Sequence, residues 1–342
     1  MSIDFIEKLP TPDELKELVP LSDSLKAKKA ERDQEVKSIF EGKSDKFLLV
    51  IGPCSAHDPE AVCDYVTRLA KLQEEVKDKL VLVPRIYTNK PRTTGEGYKG
   101  VAHQADPMGE ANIAEGLKAM RYMHIRAVEA SGLTPADEML YPANYPYLDD
   151  LLSYVAVGAR SVENQEHRLT VSGLTIPGGM KNPTSGDLSI MLNSVHAAQL
   201  SHDFIYNGWR VQTHGNPYAH SILRGAVNQH GRNIPNYHYE DLHQLSELYE
   251  KRGLKNPAIV VDTNHANSNK VFDEQIRIAH EVLRSKSYSE TLKPMVKGLM
   301  IESFIEEGNQ KADGGVYGKS ITDPCLGWAA SETLVKTIAE MA

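Results

Sequence analysis

Eight times along the chain a short run of apolar and β-branched residues leads through a turn into an amphipathic helical stretch, and this repetition leaves few folds open. The runs are FLLVIGP from Phe47, LVLVPRIY from Leu80, ADEML from Ala136, VAVGARS from Val155, IPGGMKN from Ile176, AHSILRG from Ala219, AIVVDTN from Ala258 and GLMIES from Gly298. Most are apolar nearly throughout, as strands of a parallel sheet covered on both faces must be. Helices are expected to begin near Asp58, Glu110, Tyr147, Glu163, Asp187, Tyr239, Val271 and Ala329. At the first, Asp58 caps, Pro59 opens the helix, and Val62, Val66, Leu69 and Ala70 share one face. Eight such pairs predict an α/β protein closed into a (β/α)8 TIM barrel over residues 46–342, with an open doubly wound sheet as the alternative. The stretch HDFIYNGWRVQTHG, with Asn207-Gly208 at its centre, reads as a β-hairpin inserted before the sixth strand.

Residues 1–45 stand apart as an N-terminal helical arm. Pro10, Pro12 and Pro20 punctuate it, and a charge-rich helix from Ser24 to Phe40 is stopped by Gly42. So polar a helix suggests a contact with a neighbouring subunit or a regulatory element.

Composition excludes several classes. With 342 residues, 41% of them apolar, the chain can bury a substantial core. A net charge of −8 argues against nucleic acid as a partner, because phosphate backbones are held by surplus Lys and Arg. No apolar run approaches the length that crosses a bilayer, and MSIDFIEKLP lacks the pattern of an export signal, so no membrane partner and a cytoplasmic location are expected. Three scattered cysteines, Cys54, Cys63 and Cys325, do not make a disulfide framework.

In such a barrel the chemistry sits at the C-terminal mouth, so the residues that close each strand carry the information. In order they are Cys54, Arg85, Glu138, Arg160, Lys181, Arg224, the segment leading to His265, and Glu302. Closure sets the eighth strand beside the first, which makes neighbours of Cys54, His265 and Glu302; Asp323 follows soon after in KSITDPC. Thiolate, imidazole and two carboxylates form a divalent metal site. The donors suit Mn2+, Fe2+, Co2+, Zn2+ or Cu2+, but not a pure Ca2+ or Mg2+ cage. The remaining ends are cationic: Arg160, Lys181 and Arg224 close consecutive strands, while Arg85 and Lys90 approach from the second. Five cations around one mouth would repel one another unless an anion joined them, and a ligand bearing phosphate and carboxylate suits forked arginines.

The stretch NKPRTTGEGYKG carries G-x-G-x-x-G at Gly95, Gly97 and Gly100, the pattern of a dinucleotide turn. Here it neither follows its strand directly nor opens a helix. The glycines read as flexibility in a long loop over the mouth, and Lys90, Arg92 and Thr93 make the better phosphate grip.

Taken together, IGPCSAHDP, PRIYTNKPRTT, GARSVENQEHR, GMKNPTSG, ILRG, DTNHANS, MIESFIEEGNQ and YGKSITDPCLGW resemble, in order from Phe47 onward, the signatures of the type I 3-deoxy-D-arabino-heptulosonate 7-phosphate (DAHP) synthases, in the group with an N-terminal arm. The resemblance implies metal-dependent condensation of phosphoenolpyruvate with erythrose 4-phosphate, at the start of the shikimate pathway. It places the metal ligands on Cys54, His265, Glu302 and Asp323. Phosphoenolpyruvate contacts fall on Arg85, Lys90, Arg160, Lys181 and Arg224, and the erythrose 4-phosphate grip on Lys90, Pro91, Arg92 and Thr93. Lys90 and His265 are expected to serve catalysis, with Glu138 ordering a water. An aromatic amino acid effector and a homodimer or homotetramer are also implied. YPANYP at 141–146 and Thr175 depart from the best-known feedback-regulated members, near where the family's inhibitors bind. Rival readings are a sibling synthase making 3-deoxy-D-manno-octulosonate 8-phosphate from arabinose 5-phosphate, a Schiff-base aldolase using Lys181, and an inactive sugar-phosphate sensor. The Lys90-Pro91-Arg92-Thr93-Thr94 run is of the erythrose type.

Overall fold

A computed structural model describes residues 2–92 and 94–342. The eight runs form eight parallel strands: β1 (Phe47–Gly52), β2 (Leu80–Pro84), β3 (Ala136–Glu138), β4 (Tyr154–Val157), β5 (Gly178–Lys181), β6 (His220–Leu223), β7 (Ile259–Asp262) and β8 (Val296–Glu302). Hydrogen bonding runs β2-β1-β8-β7-β6-β5-β4-β3. The ring closes between β2 and β3 through a parallel bridge of Arg85 with Ala136, where the Ile86 N–H donates to the Ala136 carbonyl at 2.9 Å. Closure excludes the open doubly wound alternative. The register of β1 on β8 pairs Gly52 with Glu302, so the two strands deliver their C-terminal ends at one height.

Side chains from alternate strand positions pack outward against the helices or inward along the barrel axis. The inward set includes Leu48, Val50, Val81, Val83, Tyr154, Ile222, Val260 and Met300. Helix α1 (Pro12–Leu18) and helix α2 (Asp23–Phe40) make up the arm. The apolar residues of α2 gather in its last turns, and Val36, Ile39 and Phe40 join that interior set, closing the N-terminal end of the barrel. Burying each such side chain contributes about 1.5–3 kcal/mol. This packing therefore engages the apolar side of α2 within its own chain. Glu41 ends the helix and Gly42 follows at φ 68°, the left-handed stop expected there.

Helices α3 (Pro59–Val76), α4 (Ile113–Ser131), α5 (Gln165–Ser172), α6 (Leu188–Gln199), α7 (Tyr239–Arg252), α8 (Glu274–Tyr288) and α9 (Trp328–Met341) surround the barrel. No α-helix begins near Tyr147. A 3-10 turn, Pro142–Tyr147, ends there instead. Pro142 and Pro146 remove two N–H donors, and β4 starts at Tyr154, too soon for a helix to cross the sheet. Arg121 of α4 ties this turn to the arm: it donates to the carbonyls of Val19 and Tyr147 and grips Asp150 with two bonds of 2.7 and 2.8 Å. The inserted hairpin is present, Asp203–Tyr206 against Trp209–Gln212, with Asn207 at φ 48° and Gly208 at φ 80° as a tight two-residue turn requires. Two further small ladders, Ala226–Val227 with Asn233–Ile234 and Glu306–Asn309 with Lys319–Ser320, decorate the loops after β6 and β8.

Candidate active site

Cys54 follows β1 in a buried Gly-Pro-Cys turn, and Glu302 ends β8 beside it. The long loop after β8 returns over its own strand, with Phe304 N–H donating to Leu326 O and Leu326 N–H to Glu302 O, and this brings back Asp323. One donor atom from each of Cys54, Glu302 and Asp323 lies within 4.8 Å of the other two, a set able to hold a divalent ion. His265 flanks this trio, its Nε2 4.0 Å from Glu302 Oε1 and its Nδ1 2.9 Å from Asp262 Oδ2. It sits at φ 53°, an unusual conformation for a non-glycine residue and one that recurs at functional sites. Neighbours offset the charge of the trio: Arg85 Nη2 meets Glu302 Oε1 at 2.7 Å, Asn264 donates to Glu302 Oε2, and Lys270 lies 3.3 Å from Asp323. Burial, then the Glu302 charge, pushes the Cys54 thiol up. Burial works against the Asp323 carboxylate too, but His265, Lys270 and Lys90 hold it below the usual range. One thiol, two carboxylates and an adjacent imidazole fit a first-row transition ion, whose charge would itself favour the thiolate.

A cavity of about 460 Å3 opens beside this cluster, with Arg85, Lys90, Arg92, Arg160, Lys181 and Arg224 around it and Glu138, His265 and Asp323 among its walls. All the expected cations therefore share one space, and Pro91 lines it with them. Thr93 lies outside the described residues. Lys90 Nζ donates to Cys54 Sγ at 3.1 Å and to the Cys54 carbonyl, which sets it between cluster and cavity. Arg92 is exposed at the mouth, its Nε donating to Tyr98 O at 2.7 Å. Arg85 is buried over the ring of Tyr87, its guanidinium carbon 3.9 Å from the centroid. Its Nη1, and Nη1 of Arg224, are buried without a hydrogen-bond partner among the described residues. The glycines of the 95–100 loop take left-handed φ values well ahead of α4, so the dinucleotide reading has no structural footing.

Glu138 reaches the cavity because Gly158 has no side chain: a Cβ there would stand 2.1 Å from Glu138 Oε1. Beneath it, Asp137 accepts from the N–H groups of Thr88 at 3.1 Å and Glu138 at 2.7 Å, fixing the strand end.

Two kinds of contributor escaped the sequence reading. Asp262, the last residue of β7, is fully buried and joins Lys181 Nζ at 3.0 Å to His265. Burial opposes its charge, yet His265, Lys181 and Arg85 hold the carboxylate well below the ordinary value. The rule that picked out the other strand ends would have found it, had the seventh strand been closed at Asp262. Gln275 of α8 is the other kind: it accepts from the Glu302 N–H at 2.8 Å and donates to the Glu302 carbonyl at 2.9 Å. A helix residue bracketing a distant backbone leaves no sequence signal.

A closed barrel whose mouth sets a metal-competent cluster against a ring of cations defines an enzyme class for small substrates that carry phosphate and carboxylate. Residues 24–336 match the DAHP synthetase I family, and the chain belongs to that family. The Tyr-sensitive phospho-2-dehydro-3-deoxyheptonate aldolase of Salmonella typhimurium is 38% identical over 339 residues, covering 96% of this chain and 92% of that protein. The Phe-sensitive protein of Escherichia coli K12 is 37% identical, covering 99% and 96%, and the Trp-sensitive protein of Enterobacter agglomerans 38%, covering 98% and 95%. The solved structure of the Francisella tularensis phospho-2-dehydro-3-deoxyheptonate aldolase superposes with a TM-score of 0.91 at 30% identity, covering 99% of this chain and 98% of that one.

The Gly158 contact gives a direct test of Glu138. Gly158→Ala must displace the carboxylate, and a shift of about 1 Å in a reacting constellation costs about 100-fold in turnover. Steady-state kinetics should show that loss with little change in the melting curve; full turnover in Gly158→Ala would remove Glu138 from the mechanism.

Proposed function

We propose that this chain condenses phosphoenolpyruvate with erythrose 4-phosphate to DAHP and phosphate, with its residues dividing the work as follows. Two arginines that line one cavity, each with a buried guanidinium nitrogen unpaired among the described residues, carry this reading, since buried donors of this strength are completed by an anion. Lys181 and Arg85 hold the carboxylate of phosphoenolpyruvate, while Arg160 and Arg224 hold its phosphate. Arg92 and Pro91, at the mouth, receive the phosphate of the second substrate, a role we assign to Thr93 as well. C3 of phosphoenolpyruvate forms the new C–C bond to the aldehyde carbon, and Lys90, at the junction of cluster and cavity, gives a hydrogen bond or proton to the aldehyde oxygen. Water, positioned by Glu138, adds at C2; the C2–O bond then breaks and phosphate leaves into the arginines. Cys54, His265, Glu302 and Asp323 hold the ion, with His265 oriented by Asp262 as carboxylate–histidine pairs orient metal ligands. A divalent ion there supplies Lewis-acid polarisation of the aldehyde, and manganese is our assignment.

The test is phosphate release on mixing both substrates with protein in neutral buffer. Activity should vanish with chelator and return with Mn2+, and Cys54→Ala should lower bound metal, read by elemental analysis, together with rate. Consumption of arabinose 5-phosphate in preference would shift the reading to the sibling synthase; borohydride trapping on Lys181 would shift it to a Schiff base.

Regulation belongs to a second cavity, of about 330 Å3, between the 3-10 turn and the inserted hairpin. Tyr145, Thr175, Phe204 and Val211 line it, an apolar bed edged by hydroxyls suited to an aromatic amino acid. One of tyrosine, phenylalanine or tryptophan should inhibit, and Val211→Trp, which fills the space, should abolish inhibition while leaving the uninhibited rate unchanged. Inhibition that survives this variant would place the effector elsewhere.

The arm, residues 1–45, serves as the oligomer contact through its first segment. Phe5 and Ile6 are 95% and 87% exposed, and on the hairpin Ile205 and Trp209 are 81% and 74% exposed, more apolar surface than an isolated subunit favours. Light scattering should report a dimer or tetramer, and Phe5→Glu with Ile6→Glu should weaken it; an unchanged mass would rule out this contact.

A further inference from the structure

Arg224 lies just beyond the end of β6, where the strand ladder stops at Leu223, so its peptide groups need partners from elsewhere. Three carboxamides supply them. Asn182, from the loop after β5, accepts from the Arg224 N–H at 2.9 Å and donates to the Gly225 carbonyl at 2.9 Å. Asn236, from the loop after β6, accepts from the Gly225 N–H at 2.7 Å and donates to Asn182 Oδ1 at 3.1 Å. Asn267, from the loop after β7, accepts from the Asn236 N–H at 2.9 Å and donates to the carbonyls of Asp262 at 2.8 Å and Leu223 at 3.2 Å. Asn182 and Asn267 are buried. Gly225, at φ 76°, lets the loops close: a Cβ there would stand 2.6 Å from the Asn267 nitrogen.

The peptide units on both sides of Arg224 are thus fixed from three loops, while the side chain they carry lines the cavity and keeps a buried Nη1 unpaired among the described residues. A long side chain gains little from a cavity unless its base is held, and here the base is held by groups that never touch substrate. We propose that Asn182, Asn236 and Asn267 form a clamp that positions Arg224 for the phosphate of phosphoenolpyruvate, with Asn236 as the central positioning residue. The inference rests on the assignment of Arg224 given above.

The test is Asn236→Ala made in the wild-type chain and in an Arg224→Ala background, both in the metal-loaded enzyme. Alone it should raise the Michaelis constant for phosphoenolpyruvate about 10-fold, as small displacements of a binding group do. The constant for erythrose 4-phosphate and the bound metal should stay unchanged. In the Arg224→Ala background it should add nothing, because residues acting through one another are not additive. Where turnover of that background is too slow, calorimetric titration with phosphoenolpyruvate gives the same comparison. An equal penalty in both backgrounds, or a parallel rise for both substrates, would overturn the clamp and leave Asn236 a structural residue. If Asn236→Ala does not fold, Asn236→Ser, whose single short hydroxyl cannot meet both the Gly225 N–H and Asn182 Oδ1, carries the comparison. A wild-type protein inert toward both substrates would strike the assignment of function, whereas an active wild type with an unaltered Asn236→Ala strikes the clamp alone.

Discussion

The ion pair of Arg85 with Glu302 joins the two halves of the mouth. Arg85 follows β2, Glu302 ends β8, and β1 separates them, so their contact at 2.7 Å requires the curvature of a closed barrel. Both are fully buried, and such a pair is a poor source of net stability because desolvation offsets most of the attraction. Losing one partner is another matter, costing about 3–5 kcal/mol through the stranded charge. Its value is placement. One carboxylate oxygen engages the cationic ring through Arg85 while the other is held by Asn264, which couples the acidic cluster to that ring.

Much of this arrangement was legible because the barrel converts sequence order into a rule of position. Once eight apolar runs imply closure, Cys54 and Glu302 must be neighbours, and Arg160, Lys181 and Arg224 must line one arc. Legibility stopped where backbone geometry took over. The segment after β3 has the length of a helix start, but Pro142 and Pro146 turn it into a 3-10 coil, an outcome set by two missing donors. The apolar turns of α2 looked too few to matter because a charge-rich average hides three residues, Val36, Ile39 and Phe40, concentrated at one end. Asp262 was passed over for the histidine three positions on, although its buried carboxylate lies 2.9 Å from that ring.

The division of the barrel into a stable floor and a reactive mouth also has a local cause. At the floor, Phe40 packs its ring 4.4 Å from that of His220, which in turn bonds the Tyr154 hydroxyl at 2.7 Å, an enclosed set with no route to solvent chemistry. Burial drives His220 down to about 4, so the floor carries no charge on this ring near neutrality. At the mouth, charges of both signs are buried at high density, and two ion pairs, Arg85 with Glu302 and Lys181 with Asp262, cross strand boundaries.

That density raises the question of what keeps the strand ends in place, since ladder hydrogen bonding stops just where the functional residues begin. Carboxamides take over the role. Asn182, Asn236 and Asn267 bind the peptides around Arg224; Gln275 brackets Glu302; at the opposite end Gln73 donates to Leu80 O and accepts from the Leu82 N–H. A carboxamide presents N–H donors and a carbonyl acceptor side by side, the same kinds of group as a peptide unit, so it can stand in for a missing neighbouring strand without adding charge. A carboxylate there could only accept from the N–H groups and an ammonium could only donate to the carbonyls, and either charge would also perturb the field in which Asp262, Lys181 and Arg224 are balanced. Neutral amides fix the frame and leave the electrostatics to the residues that face the cavity.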